Sequence, residues 1–128
     1  MNIYGIGIDI VKISRLEKLL KKKDYLKKIF SKKEIQKCSK KEITFYSCFA
    51  KRFAAKEAFS KALGTGIAKG INFNEIVVLN EKNGKPYIRL LDKTKKNVRK
   101  KFKNKRYRIS LSLTDEDKYA VAFVTISL

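Results

Sequence analysis

The segment 44–63 restricts the possible folds of this 128-residue chain more than any other. It reads Thr-Phe-Tyr-Ser-Cys-Phe-Ala-Lys-Arg-Phe-Ala-Ala-Lys-Glu-Ala-Phe-Ser-Lys-Ala-Leu and predicts a helix that ends at Gly64. Alanine and phenylalanine occupy nearly all sides of this helix, and a helix that is apolar all round is buried. The other residues must therefore form the elements that cover it, and the length of the chain indicates one domain.

The segments on either side of this helix show strand and helix patterns. Residues 3–11 have the period of two that is typical of a strand, and Ser31 with Glu34 forms a capping-box pattern at a helix start. Further helices are predicted over 12–22, 24–30 and 93–104, and further strands over 75–79, 87–91, 106–112 and 119–126. The sequence predicts a single α+β domain spanning residues 1–128, with a turn at Asp115-Glu116-Asp117 between its last two strands.

The absence of histidine excludes several kinds of chemistry. Neither a Ser-His-Asp relay, nor a His-ligated metal, nor imidazole proton transfer near neutral pH is available to this chain. Cys38 and Cys48 are too few for a zinc ribbon or a disulfide framework, and we expect them to be free, reduced thiols. Any catalysis must use carboxylates, lysines, hydroxyls or a hard metal ion.

The charge of the chain is strongly positive, because 32 Lys and Arg residues stand against 12 Asp and Glu residues, a net +20. This charge fits a nucleic-acid-binding protein, and it fits equally a protein with anionic ligands or partners. No run approaches the roughly 20 apolar residues of a membrane span, and no signal peptide is recognisable. We therefore expect a protein of the cytoplasm or an organelle matrix that has no membrane partner.

The first strand carries a carboxylate beside two glycines. Gly5, Gly7 and Asp9 share one face, so space is left beside the carboxylate for a ligand or for another backbone. The simpler interpretation is close packing of this strand, with Asp9 capping the next helix. The pattern is not a dinucleotide-binding fingerprint, because Ile10 occupies the position of the third glycine.

The central helix carries charges that are unusual for a buried element. Arg52 and Lys56 share one side of it, and Glu57 and Lys61 share another. A surface ion pair between Glu57 and Lys61 is the simplest explanation, but burial of the helix favours a charged ligand. Asp9 and Glu57, with phosphate oxygens and waters, suit Mg²⁺, and the three basic residues would then face the phosphates.

Three motifs of the chain belong together: Gly5-Ile-Gly-Ile-Asp9-Ile-Val, Arg52-Phe-Ala-Ala-Lys56-Glu57-Ala-Phe-Ser-Lys61-Ala-Leu-Gly-Thr-Gly66 and Asn83-Gly-Lys-Pro86. In combination they resemble the holo-[acyl-carrier-protein] synthase family. The similarity covers nearly the whole chain in the order and spacing of the family. It implies an antiparallel sheet packed against the long central helix, and a homotrimer with active sites between neighbouring subunits.

The implied activity is that of a 4′-phosphopantetheinyl transferase. Such enzymes move phosphopantetheine from coenzyme A to a serine of apo-acyl-carrier protein, in support of fatty acid biosynthesis, and release adenosine 3′,5′-bisphosphate. The metal would be Mg²⁺, or Mn²⁺ in its place. The partners would be coenzyme A and an acidic carrier protein, without a specific nucleic acid.

The resemblance also implies roles for individual residues. Asp9 and Glu57 would bind the metal, Lys61 would face the pyrophosphate, and Glu57 or a metal-bound water would accept the serine proton. Coenzyme A would be bound by Arg52 near its 3′-phosphate and further by Lys56, Gly64, Thr65, Gly66, Pro86 and Thr114. The carrier protein would be received by Arg15, Lys18 and Lys22.

The segment Ser110–Thr114 departs from the family pattern. Leu113 stands where the family commonly has a histidine that contacts a coenzyme A phosphate, whereas Thr114 keeps a hydrogen-bond donor. We expect either that lysines supply the lost donor or that turnover and coenzyme A affinity are reduced. A carrier-binding module without catalysis is one alternative. The other is a nucleic-acid-binding protein with Phe102 and Tyr107 stacking on bases within the basic segment Lys93–Arg108.

Overall fold

A computed structural model describes all 128 residues, Met1–Leu128. The helices are α1 (Ile13–Leu20), α2 (Tyr25–Ile29), α3 (Lys32–Ser39), α4 (Phe45–Leu63) and α5 (Asp92–Lys101), with a short 3-10 turn at Phe73–Glu75. The strands are β1 (Ile3–Lys12), β2 (Ile76–Asn80), β3 (Pro86–Leu90), β4 (Arg108–Glu116) and β5 (Tyr119–Ser127). The predicted α+β class, with an antiparallel sheet on a long central helix, is confirmed.

The strands form two separate antiparallel sheets. One has the order β1-β5-β4, and the other is the β2–β3 hairpin. In the larger sheet Asp9 pairs with Ala122, which in turn pairs with Leu113. Side chains alternate between the faces of a strand, so these three residues form one row on the same face. Ala122 is fully buried, which identifies this face as the one that packs on α4.

Helix α4 lies in the centre of the core and contacts β1 backbone to backbone. A Cβ atom at Gly5 would lie 2.0 Å from the carbonyl oxygen of Ala62, and one at Gly7 would lie 1.9 Å from that of Ala58. The space beside the two glycines is therefore filled by α4 rather than by a ligand. Lys12 is the N-cap of α1, so Asp9 does not cap that helix.

On the other face of the three-stranded sheet, the part formed by β1 and β5 is apolar and uncovered, whereas β4 contributes polar residues such as Ser112 and Thr114. Ile6, Ile8 and Ile10 of β1 are 60%, 60% and 63% exposed, and Phe123 of β5 is exposed as well. Phe123 pairs directly with Ile8, so these side chains form one continuous patch. We refer to these four side chains as the outer face.

Helices α3 and α4 are joined by a disulfide between Cys38 and Cys48. The prediction of two free thiols is therefore wrong. The chain turns back between the two helices and brings the Cα atoms to 5.6 Å, a separation that a disulfide spans. The predicted capping box is present at the other end of α3, where Ser31 and Glu34 bond reciprocally.

Two further expectations from the sequence concern the turn between β4 and β5 and the possibility of a membrane-spanning helix. The acidic cluster does not form the last turn as a unit, because Asp115 and Glu116 belong to β4 and pair with Ala120 and Tyr119. Pairing across the hairpin extends the strand and leaves only residues 117–118 in the turn. None of the helices has the length and apolar character that crossing a membrane requires.

Candidate active site

Asp9, Glu57 and Lys61 meet where β1 crosses α4. The Lys61 ammonium donates to Asp9 Oδ1 at 3.1 Å and to the carbonyl oxygen of Ile8 at 3.0 Å. The glycine contact of β1 with α4 makes this meeting possible, because it brings the strand backbone within reach of a lysine on the helix. The structure thus brings together the three residues that were predicted to form the catalytic cluster.

The electrostatics of this cluster favour a bound cation. Burial raises the pKa of Glu57, the charge of Asp9 raises it further, and the Lys61 ammonium partly opposes both effects. Two carboxylates therefore share a site with a single ammonium group. A divalent cation would offset their repulsion, and two carboxylates completed by phosphate oxygens and waters are typical of Mg²⁺.

The protein alone does not form a closed metal site. The structure contains no group of three or more His, Cys, Asp or Glu side chains that could hold a metal ion. The donors present therefore fit a metal that is bound together with a phosphate-containing ligand, as Mg²⁺ commonly is.

Arg52 lines a concavity of about 400 Å³ that is rich in basic residues. The residue is only 4% exposed; Nη1 donates to the carbonyl oxygen of Cys48 at 3.1 Å and Nη2 to Asn80 Oδ1 at 2.9 Å. The Nε–H has no hydrogen-bond partner. The walls are formed by Lys37, Lys41, Thr44, Ser47, Lys51, Leu113 and Asp115 together with Cys48 and Asn80. We refer to this concavity as the Arg52 pocket.

The Arg52 pocket is close to the carboxylate pair. Leu113 occupies the same row of the sheet as Asp9, two strands away, a distance of about 10 Å at the usual strand spacing. Arg52 and Glu57 are five residues apart on α4, which is about 7.5 Å along the helix axis. A ligand with two separated phosphate groups could therefore contact both sites.

Lys56 does not lie where the sequence predicted. Its side chain is fully buried and its ammonium donates to Glu34 Oε1 at 2.8 Å and to the carbonyl oxygens of Phe73 and Ile76 at 2.9 and 2.5 Å. All three N–H groups are used in the interior, so none can face a phosphate. Glu34 also accepts from Val78 N at 3.1 Å, and the pair thereby fastens α3 and α4 to β2.

The other predicted binding residues lie around the molecule. Gly64 ends α4 with φ 88°, and Thr65 and Gly66 follow it, at the end of the helix far from Arg52. Pro86 opens β3 opposite Asn80. Thr114 is exposed on the side of the sheet away from α4. Arg15, Lys18 and Lys22 are all exposed on α1 and just after it.

Two polar residues near the site carry no local sequence signal. Lys37 is one lysine among several on α3, and Asn80 is the last residue of β2. Only the packing of α3, α4 and β2 shows that both contact the Arg52 pocket. The aromatic residues of the basic segment, by contrast, are unsuited to stacking on bases, because Phe102 is buried and packs against Tyr4 and Tyr107.

Known proteins resemble this chain in sequence and in structure. The family model for the 4′-phosphopantetheinyl transferase superfamily matches residues 5–124. The holo-[acyl-carrier-protein] synthase of Pelagibacter ubique is 48% identical over 126 residues, which are 98% of each chain.

Two solved structures show the same fold. The Neisseria meningitidis holo-[acyl-carrier-protein] synthase superposes with a TM-score of 0.87 at 34% identity, over 98% of this chain and 99% of that one. The Bacillus anthracis enzyme, crystallised in complex with CoA (3′,5′-ADP), gives a TM-score of 0.81 at 34% identity and covers 98% and 97%. The similarity extends over the whole length of the chain.

Proposed function

Because the chain belongs to the 4′-phosphopantetheinyl transferase superfamily, we propose that it is a holo-[acyl-carrier-protein] synthase. It transfers 4′-phosphopantetheine from coenzyme A to a serine hydroxyl of apo-acyl-carrier protein and releases adenosine 3′,5′-bisphosphate. The observation that carries this proposal is the meeting of Asp9, Glu57 and Lys61 at the contact of β1 with α4.

The proposed metal site consists of Asp9 and Glu57. These carboxylates would hold Mg²⁺, or Mn²⁺ in its place, together with pyrophosphate oxygens of coenzyme A. A metal bound there would supply positive charge that makes the phosphorus more electrophilic. The raised pKa of Glu57 supports this assignment, because burial and, after it, the charge of Asp9 disfavour the ionised carboxylate in the absence of a cation.

The proposed reaction is a phosphoryl transfer from coenzyme A to the serine hydroxyl. The serine oxygen forms a bond to the phosphorus that carries pantetheine, the bond from that phosphorus to the bridging oxygen breaks, and the leaving group departs with the electron pair. Lys61 would stabilise negative charge on the pyrophosphate as this bond breaks. Glu57, or a water held by the metal, would accept the serine proton.

The Arg52 pocket is the proposed site of the 3′-phosphate. Its support is the buried guanidinium whose Nε–H lacks a partner, since a buried donor without an acceptor is costly. Gly64, Thr65, Gly66 and Pro86 are proposed to surround the adenosine. These positions are spread over the surface of one chain, which suits a site completed by a neighbouring subunit.

A homotrimer is the proposed assembly. The outer face presents three isoleucines and Phe123 to solvent in a single chain, and contiguous apolar surface of this kind marks an interface. Thr114 lies on the same side of the sheet and could reach coenzyme A only across such an interface. Sedimentation equilibrium should give three times the chain mass, and Ile8→Asp should dissociate the assembly. A wild-type monomer would contradict the proposal.

The basic residues of α1 are the proposed docking surface for the carrier protein. Arg15, Lys18 and Lys22 are exposed and have no acidic side chain in salt-bridge contact. An acidic carrier would be attracted to this surface by long-range electrostatics, which raises association rates.

One incubation tests the proposed activity. The protein is mixed with apo-acyl-carrier protein, coenzyme A and Mg²⁺, and the carrier is weighed by mass spectrometry. We expect a gain of one phosphopantetheine that chelation of the metal abolishes and that Glu57→Gln reduces at least about 100-fold. Glu42→Gln makes the same chemical change at an exposed position between α3 and α4 and should keep full activity.

The outcomes separate the candidate functions. No mass gain with apo-carrier proteins of several kinds would overturn the enzyme and favour a carrier-binding module. Full activity of Glu57→Gln would overturn the assignment of the carboxylate pair while leaving the transferase in place. Retention on nucleic acid would not discriminate, because a protein with a net charge of +20 binds polyanions in any case.

A further inference from the structure

Two cations in the Arg52 pocket share a single neutral acceptor. Lys37 Nζ donates to Asn80 Oδ1 at 2.5 Å and Arg52 Nη2 donates to the same oxygen at 2.9 Å. The two nitrogens therefore lie no more than 5.4 Å apart, the sum of these distances. Like charges this close repel each other, and one amide oxygen cannot neutralise either of them.

The pocket has an excess of positive charge. Lys41 and Lys51 also line it, and the only carboxylate in its wall, Asp115, pairs with Lys51 at 3.4 Å. Partial burial, followed by the charges of Arg52 and Lys41, lowers the pKa of Lys37. Three of the four cations thus have no salt-bridge partner, although the charge of Glu34 acts on Arg52, and an anion with more than one charge would balance them.

The donors of the pocket point to an anion with several acceptor oxygens. The buried Arg52 Nε–H is unpartnered, and the Lys37 ammonium has two N–H groups beyond the one it gives to Asn80. Leu113 also lines the pocket and offers no side-chain donor. The charged donors of the pocket all lie on α3, on α4 and on the segment between them.

Asn80 fixes the position of both cations. Its Nδ2 donates to the carbonyl oxygen of Gly84 at 3.0 Å, so its Oδ1 is turned toward Lys37 and Arg52. The amide is thereby held by the hairpin turn that precedes Pro86. Lys37 is otherwise on the exposed side of α3, where a free lysine would lose side-chain entropy on binding a ligand.

We propose that Lys37 is a phosphate-binding residue that acts with Arg52 to select a coenzyme with a terminal phosphate monoester. It supplies the donor that Leu113 cannot. Naming the monoester as the 3′-phosphate of coenzyme A rests on the proposed function. The selected ligand is then coenzyme A, and the rejected one is 3′-dephospho-coenzyme A.

Calorimetric titration with the two coenzymes tests this inference without requiring turnover. The wild type should bind coenzyme A at least about tenfold more tightly than 3′-dephospho-coenzyme A. Lys37→Met should weaken the binding of coenzyme A about tenfold, the loss expected for one charge-assisted hydrogen bond, and leave that of the dephospho form almost unchanged. Lys33→Met is the matched control, because it removes the same charge from α3 outside the pocket.

The outcomes distinguish this inference from the proposed function. Equal binding of both coenzymes by the wild type, equal weakening of both by Lys37→Met, or equal effects of Lys37→Met and Lys33→Met would each overturn it. A protein that prefers coenzyme A through Lys37 but never modifies a carrier would uphold the pocket and overturn the transferase. If the protein modifies a carrier and its Lys37→Met variant binds coenzyme A as tightly as the wild type, the transferase is upheld and the role of Lys37 is overturned.

Discussion

The α-carbon of Gly7 lies so close to the carbonyl oxygen of Ala58 that a Cβ atom on it would stand 1.9 Å away. Neither partner can move easily, because the oxygen belongs to the backbone of the buried helix α4. The contact of strand and helix at this point therefore tolerates only glycine. The position of Asp9, two residues further along β1, depends on it.

Gly7→Ala should destabilise the protein by about 3 kcal/mol or more, because the strand must move away from the helix. Urea unfolding measures the loss, and transferase activity should fall with it as Asp9 separates from Lys61. Gly64→Ala is the comparison, since a Cβ atom there would meet nothing within 4 Å and only the φ of 88° is unfavourable. That variant should lose about 1 kcal/mol. Similar losses in both variants would contradict the close-contact explanation.

Glu57→Gln should make the folded protein more stable at neutral pH. The pKa of Glu57 is raised in the folded protein above its value of 4.5, so the unfolded chain ionises first as the pH increases. Wild-type stability therefore decreases as the pH rises through the folded pKa, whereas glutamine does not titrate. The gain in Tm should be present at neutral pH and absent near pH 4, where the wild-type carboxyl is protonated.

A gain of equal size at both pH values would show that the variant acts through packing instead. Added Mg²⁺ and coenzyme A should raise the Tm of the wild type more than that of Glu57→Gln, because ligands stabilise the state that binds them.

The Lys56→Met variant should be strongly destabilised, because the side chain of Lys56 is fully buried. It removes one partner of a fully buried ion pair and leaves Glu34 without its countercharge, a loss of about 3–5 kcal/mol. Burial lowers the pKa of Lys56 to about 8 against 10.5 for the free side chain. Between these pH values the unfolded chain binds more protons than the folded one, so this group adds stability as the pH rises.

The difference in unfolding free energy between wild type and Lys56→Met should therefore widen from about pH 8 to pH 10.5 and then stay constant. Lys33→Met changes the charge equally without touching the buried pair and serves as the control. A difference that narrows over this range would contradict the direction of the pKa shift.

Reduction of the disulfide should destabilise the protein. Cys38 and Cys48 lie ten positions apart in the sequence, and closing a loop of that size stabilises by about 3 kcal/mol in the chain-entropy model. Dithiothreitol should lower the Tm of the wild type and leave that of the Cys38→Ala/Cys48→Ala variant unchanged. Two alkylatable thiols in the purified, unreduced protein would contradict this bond.

Charge reversal on α1 should change the KM for the carrier protein and not the KM for coenzyme A. Arg15→Glu and Lys18→Glu should raise the KM for the carrier protein several-fold at low salt and leave the KM for coenzyme A unchanged. The effect should shrink as salt rises, because the screening length falls to about 8 Å at physiological ionic strength. Lys95→Glu makes the same charge change on α5, and an equal effect there would show that net charge rather than a docking surface is responsible.

The sequence was most informative where local patterns decide the structure. The predicted helix 44–63 and its glycine end correspond to α4 and Gly64, because an alanine-rich segment with a left-handed stop needs no distant partner. The capping box of α3 is local in the same way. The meeting of Asp9 with Glu57 and Lys61 was predicted from charges on a buried helix, and the resemblance supported that prediction.

The sequence was least informative where residues that are far apart along the chain contact each other in the interior. Lys56 and Glu57 are adjacent, yet one is buried against Glu34, 22 residues away, and the other faces Asp9. Nothing in the helical pattern distinguishes a lysine that neutralises a buried carboxylate from one that binds a ligand. Lys37 and Asn80 carry no local signal either, since their meeting is produced by the packing of three separate elements.

The pairing of β1 with β5 joins the first strand of this protein to its last. The first strand has no other neighbour in its sheet, and its partner is the last strand of the chain, with Ile3 opposite Ser127. Helix α4 can form from local interactions while the chain is still being synthesised, whereas Ala122, the sheet partner of Asp9, becomes available only with the last strand. Through that interval three isoleucines lie on an unpaired strand, the kind of segment that associates with other chains. Synthesis of the final strand thus gives β1 its single sheet neighbour, while the other edge of β1 stays unpaired in the folded chain.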